Sequence, residues 1–502
     1  MNDNTAYSQL VTLFAEVSRL ESALELLDWD SQTKMPSKGG PYRAEQIEIL
    51  TRIIHQRRTD PSIGRLLSQA EDHASSTEHS DVIMTNLHRW RQDYEREVKV
   101  PAELASKLAE TAARAKDAWL EARKENSFAI FEPLFREILD LTLTKAEALG
   151  YEEEPYDALL DAYEPGSRTR DVAHLFSRLR EDLTELFQDI VKKRDTAEAC
   201  PILPPGPYGV AEQSAFIQDI ATALGYNFQS GRMDESAHPF SIQLSPGDVR
   251  ITIAHDESDF TKALLAGIHE TGHALYSLGL PAEHFGTPMG QYVSLGVHES
   301  QSRLFENFIG RSLPFWEFAL PIARQYFPQL AAFTPHDMAR YVSHVCPDCI
   351  RVHADELTYN MHIMVRFEIE LGLTRRELNV KDVPAAWNER MQEFLNITPP
   401  SDSDGALQDI HWSLGAIGYF PTYTLGNVYA AQLYNALIKD LGAQDEHFRA
   451  GDFKPFLDWN RRFVHSKGRQ FDPPELISQA TGELPNAQYL VDALKQKMAL
   501  LL

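Results

Sequence analysis

Cysteine is nearly missing from this chain: three in 502 residues, Cys200, Cys346 and Cys349. An odd count in so long a sequence excludes the disulfide framework of a small secreted domain. Long apolar runs are missing too, and none approaches the roughly eighteen residues of a membrane span. Dense blocks of Lys and Arg are lacking. Against 48 basic residues stand 73 acidic ones, for a formal charge of −25, so neither nucleic acid nor an anionic membrane is an expected partner. The opening Met1-Asn2-Asp3-Asn4-Thr5 has neither the basic start nor the apolar core of a signal peptide, and the expected location is cytoplasmic. No internal repeat or low-complexity tract is evident.

What is there is helical spacing. Apolar residues recur at helical intervals over 6–28, 42–58, 80–98, 101–125, 131–149 and 170–193, with breaks at Met35-Pro36, Gly39-Gly40-Pro41 and Gly150. Further helices are expected at about 315–328, 336–345, 351–371, 381–397 and 425–440. The stretch Cys200-Pro201-Ile202-Leu203-Pro204-Pro205-Gly206-Pro207 is a stiff connector, either a boundary or a loop inside one large domain. Between 238 and 255 the period changes to alternation around Pro246-Gly247-Asp248, which reads as a β-hairpin. Its strand is a candidate edge for an extended peptide, and equally a small structural hairpin.

The chemistry is concentrated in His269-Glu270-Thr271-Gly272-His273. Two imidazoles four residues apart share a helical face, so both can reach one metal ion. Glu270 projects from the neighbouring side of the turn, where it can take a proton from water without being a ligand. The segment reads as a helix, with Asp259 or Thr261 as N-cap, Leu264, Leu265, Ile268, Leu275 and Leu278 buried, and Gly279 near its end before Pro281. A zinc-type site hydrolysing an amide is expected; cobalt and manganese fit similar ligands. Spacing alone leaves Glu299, Glu306 and Glu283 as rival third ligands. Residues 405–427 combine aromatics, glycines and His411, as either a cleft wall or an aromatic core corner.

Several short elements occur together in one order: Leu26-Leu27-Asp28-Trp29-Asp30, His238-Pro239-Phe240, Asp248-Val249-Arg250-Ile251-Thr252, the His269 to His273 motif, His298-Glu299-Ser300-Gln301-Ser302, Ile350-Arg351-Val352-His353-Ala354-Asp355, Gly405 to Trp412, and Gly418 to Tyr423. With them the chain resembles the thermostable carboxypeptidase Taq family of metallocarboxypeptidases over nearly its whole length. The resemblance implies a mostly α-helical homodimeric enzyme, with a deep cleft and a small sheet beside the metal helix. It implies release of single residues from peptides with a free C-terminus, with broad specificity and proline disfavoured. It places the third zinc ligand on Glu299 and the general base on Glu270. A single catalytic domain over 1–502 follows, its helical part of about 1–200 forming one side of the cleft.

An exopeptidase must also grip the terminal carboxylate, which a guanidinium does through two parallel hydrogen bonds. Arg351 is the first candidate and Arg250 the second, each with a structural alternative as the ion-pair partner of Asp355 or Asp248. Arg303 is given a structural role. Tyr423, His238 and His411 are candidate donors to the oxyanion, or else satisfied buried polar groups. Asp355 and Glu306 are expected to orient the ligating imidazoles. Cys346-Pro347-Asp348-Cys349 has redox spacing but no thioredoxin-like context, and is read as incidental. Two competing readings keep the fold: an endo-acting oligopeptidase with the same metal site, and a peptide-binding scaffold with a vestigial one. The intact Glu270 argues against the scaffold, since binding alone needs no base there.

Overall fold

The apolar stripes become helix faces in the computed structural model, which describes residues 5–76, 80–194 and 200–501. Among these residues there are twenty α-helices and one three-stranded sheet, the mostly α architecture expected. None of the described helices is long and apolar enough to cross a membrane. One large hydrophobic cluster runs from Ala115 to Met498. A separate small one, around Leu10, Leu67, Leu87 and Trp90, serves the first helices alone.

The expected hairpin is present as β2, Phe240–Ser245, antiparallel to β3, Asp248–Ile253. A short strand missed by alternation, β1 (Met233–Glu235), adds parallel to β3, giving the order β1-β3-β2. Side chains of β3 alternate between two neighbours. Val249, Ile251 and Ile253 are buried in the main cluster with helix Phe260–Gly279, whereas Arg250 points to the opposite face, over the Trp29 ring of helix Thr5–Thr33.

Helix Phe260–Gly279 starts where Asp259 accepts the Thr261 N–H at 3.0 Å, and stops before Leu280-Pro281. Helix Leu295–Arg303 is capped by Ser294, which accepts the Val297 N–H at 3.0 Å. It runs on as a π-helical segment, Leu304–Gly310, whose wider turn is a rarity concentrated at functional sites. The two helices meet at Gly272. A Cβ there would lie 2.7 Å from the Gln301 carbonyl oxygen and the Ser302 Cα. A third helix, Pro421–Leu441, lays Gly426 against Glu299, where a Cβ would come 2.5 Å from the Glu299 Cγ.

Three expectations shift. The helix expected over 351–371 is Thr358–Thr374, with Arg351–His353 in a separate 3-10 turn, because Asp355 accepts the Leu357 and Thr358 N–H groups and starts the helix there. Helices Pro61–Ser76 and Val210–Leu224, and all those after residue 441, were not anticipated. The aromatic stretch 405–427 is both of its alternatives at once. Trp412 stacks on Phe135 in the core at 5.1 Å, while Tyr419 and Tyr423 line the cleft.

Gly272→Ala is therefore expected to push the two central helices apart. The cost is about 1–3 kcal/mol of stability, read from denaturation of the metal-free protein. A variant as stable as the parent would show that this contact tolerates a methyl group.

Candidate metal centre and cleft

Helix geometry sets His269 and His273 one turn apart, and the close contact at Gly272 brings Glu299 to them. The Glu299 Oε2 lies 3.6 Å from the His269 Nε2 and 3.5 Å from the His273 Nε2. Donors bound to zinc at about 2.0–2.1 Å in a tetrahedral shell are about 3.3–3.4 Å apart, so the spacing fits one such ion. Among the described residues this is the one group of His, Cys, Asp or Glu side chains whose donors converge closely enough to hold a metal, all within 4.8 Å of one another. Glu306 and Glu283 do not belong to it.

Each imidazole is held from behind. The His269 Nδ1 lies 2.9 Å from the Glu306 Oε2, the orienting role expected of Glu306. The Nδ1 of His273 faces His298 Nδ1 at 2.6 Å, a partner that sequence reasoning missed although it adjoins Glu299. Burial, with His273 beside it, pushes His298 well below its usual value, so the ring is neutral and can accept the His273 N–H. Arg303 has the structural role expected of it, in direct contact with the cluster. Its Nε donates to the Glu299 Oε1 at 2.7 Å and its NH1 to the Glu306 Oε2 at 3.0 Å, and Arg311 adds a bond to the Glu306 Oε1 at 2.8 Å. An arginine four residues after an acid on one helix was the available signal.

Glu270 is buried beside this cluster, and no hydrogen bond claims its carboxylate among the described residues. Burial raises its pKa, with the neighbouring imidazoles opposing. Burial would raise Glu299 as well, but the Arg303 guanidinium and the two imidazoles hold its carboxyl far below the ordinary range. Side by side, one carboxyl is pushed up by burial and the other is held down by its cationic neighbours.

The cluster lies in a cleft of about 2220 Å³, larger than the usual small-molecule pocket and suited to an extended chain. Arg351, Tyr423 and His238 line it with the metal cluster. The expected structural partner of Arg351, Asp355, is replaced by Asp409, which accepts from its Nε and NH2 at 3.1 and 2.8 Å. Its NH1 donates to the Tyr359 hydroxyl at 2.9 Å. Of the five guanidinium N–H groups, these bonds use three. Asp409 also accepts from the Arg366 Nε at 2.7 Å, and the two arginines override burial to keep it ionised far into acid.

Three expectations are corrected. Arg250 is not a cleft residue: Asp248 takes both arms of its guanidinium at 2.9 and 2.8 Å, and it lies 4.4 Å over Trp29, on the sheet face turned away from the metal helix. Asp355 orients no imidazole, because its oxygens receive the Cys346, Leu357 and Thr358 N–H groups and the Thr358 hydroxyl. His411 stands behind the cleft wall, its Nε2 3.4 Å from the Tyr423 hydroxyl. Burial and the nearby arginines push it down to about 4, so it is neutral at pH 7. Cys346 and Cys349 are both free thiols.

A helical cleft closed around a His-Glu-x-x-His helix defines the class of metallopeptidases. A model of the carboxypeptidase Taq (M32) metallopeptidase family matches residues 9–498. Thermostable carboxypeptidase 1 of Thermus thermophilus is 43% identical over all of both chains, and the protein of that name from Pyrococcus furiosus 37% identical over 98% of each. The solved structure of Trypanosoma cruzi metallocarboxypeptidase 1 superimposes with a TM-score of 0.95, at 35% identity over 99% of each chain. The chain belongs to the carboxypeptidase Taq family, and its enzymatic class is metallocarboxypeptidase.

Asp409→Asn is expected to leave two buried arginines without their anion and to lower stability by about 3–5 kcal/mol. Thermal unfolding checks this, and an unchanged midpoint would show that the arginines find another partner.

Proposed function

We propose that this enzyme removes single residues from the free C-terminus of peptides, using one divalent ion held by His269, His273 and Glu299. Two imidazoles and one carboxylate are a zinc donor set, which cobalt or manganese can also occupy. When bound, the ion supplies Lewis acidity to water and to the scissile carbonyl. Glu270 accepts a proton from the attacking water and passes it to the leaving nitrogen, a shuttle for which its raised pKa is suited.

The arrangement that carries this reading is the position of Arg351 in the same cleft as the three donors, with N–H groups remaining beyond its bonds to Asp409 and Tyr359. A guanidinium there would take the terminal carboxylate and leave the last peptide bond over the metal cluster. The Tyr423 hydroxyl, backed by neutral His411, is a donor for the oxyanion, and His238 stands at the exposed rim. Phe240, Ser241, Ile242 and Gln243 of edge strand β2 also line the cleft, so a substrate backbone can pair alongside them. The capacious cleft supports broad side-chain specificity, and a C-terminal proline, lacking the amide N–H, is the poorest substrate. The family resemblance supports a cytoplasmic homodimer whose 502 residues act as one catalytic unit.

Glu270→Gln is expected to bind metal as the parent does and to lose about 10²–10⁴-fold or more in kcat. Mass spectrometry of peptide ladders should show loss of one residue at a time from free termini, none from C-terminally amidated peptides, and none after chelation. Internal cleavage of the amidated peptides would replace the exopeptidase reading with an endopeptidase one.

A further inference from the structure

The two oxygens of Glu299 have different surroundings. Oε2 faces both imidazoles, at 3.6 and 3.5 Å. Oε1 accepts the Arg303 Nε at 2.7 Å. The Ser302 hydroxyl donates to the Glu299 backbone carbonyl at 2.6 Å and keeps only a longer 3.3 Å contact with Oε2. Arg303 is itself fixed: its NH1 bonds Glu306 at 3.0 Å, and its guanidinium lies 4.5 Å over the Tyr359 ring. On the other side the side chain is confined by the backbone of Gly426, where even a methyl group would come within 2.5 Å of the Glu299 Cγ.

A carboxylate can ligate a cation through one oxygen or two, and the second mode takes up coordination space that water and the substrate carbonyl would otherwise share. A guanidinium on Oε1 occupies one of that oxygen's two lone-pair sites, and its charge repels a cation from that edge. We propose that Arg303 is a positioning residue which restricts Glu299 to ligation through Oε2 alone and so keeps the coordination shell open for water and the substrate carbonyl. This rests on the three-donor reading of the metal site. It differs from simple bracing in what it predicts: without Arg303 the ion is held as well or better, and turnover suffers.

The test compares the full-length parent with Arg303→Met, which keeps an unbranched apolar stem without the donors or the charge. Both are stripped with chelator and titrated with zinc and with cobalt. For the variant, zinc affinity is expected to be unchanged or tighter, cobalt d–d bands to weaken and shift as the coordination number rises, and kcat to fall about 10–100-fold. A parental cobalt spectrum in the variant, or zinc affinity more than about tenfold weaker with the spectrum unchanged, would overturn the proposal and leave Arg303 as a brace. Should the variant not fold, a zinc-loaded structure of the parent decides: Oε1 at a bonding distance of about 2.2 Å overturns it, and Oε1 held off the ion on Arg303 supports it. A parent that takes up no ion at all would instead dispose of the metal-site reading itself.

Discussion

Helices bearing ordinary side chains keep their axes about 8–10 Å apart, and the convergence of donors on Glu299 is built from two contacts that need glycine. At Gly272 the backbone of residues 301 and 302 packs directly on the His269–His273 turn, and at Gly426 a third helix packs on Glu299 itself. Any Cβ at either position would overlap atoms that cannot move without shifting a helix. The third donor is thus delivered by backbone proximity, with the side chain of Glu299 only spanning the last few ångströms. This explains how a donor 26 positions along the chain from His273 can be set as firmly as two donors on one helix turn.

Bringing those helices together crowds three acids, Glu270, Glu299 and Glu306, into a buried space. Arg303 and Arg311 neutralise two of them through direct bonds, and both cations arise from the same helical run as the acids they serve. Glu270 is the acid that neither arginine touches, and burial consequently acts on it with the least opposition. A division of labour follows from position alone: carboxylates bonded to guanidinium stay charged and still, whereas the one without such a bond has a proton affinity that can serve catalysis. A second cation cluster repeats the pattern next to Tyr359, whose ring carries both Arg303 and Arg351: there Asp409 is shared by Arg351 and Arg366.

Those parts of the site that lie on one helix turn could be read from residue order. His269, Glu270 and His273 need no tertiary information, since a period of 3.6 residues places them. Glu299 needed the family motif to be preferred over Glu283 and Glu306, because separation along the chain does not say how a loop returns. The partners of His298, Arg303 and Asp409 were not legible, because the importance of these residues lies in what they touch: a second imidazole, two carboxylates, two arginines. The error on Asp355 has a local cause. An aspartate three residues before a helical run is a ready N-cap, and that competing use was not weighed when it was placed near the imidazoles. For the fold, long amphipathic stretches were easy to find, while the five-residue helix Asp445–Arg449 and the three-residue β1 offered too few periods to register.

Arg250 and Arg351, the two candidates for the terminal carboxylate, differ in how the fold places them. Arg250 lies on the central strand of the sheet, one position out of phase with Val249 and Ile251, which face the metal helix. Alternation therefore turns its side chain toward Trp29, and the Asp248 carboxylate two residues before it on the same face completes the clamp. Pairing the Leu26 to Asp30 element with the Asp248 to Thr252 element in this way ties helix Thr5–Thr33 to the sheet, and that helix contributes Val17, Glu21, Ser22 and Glu25 to the cleft. Arg351 lies on a 3-10 turn free of such alternation, held at one edge by Asp409 and at one arm by Tyr359. One arginine fastens a helix of the cleft to the sheet, and the other lines the cleft itself.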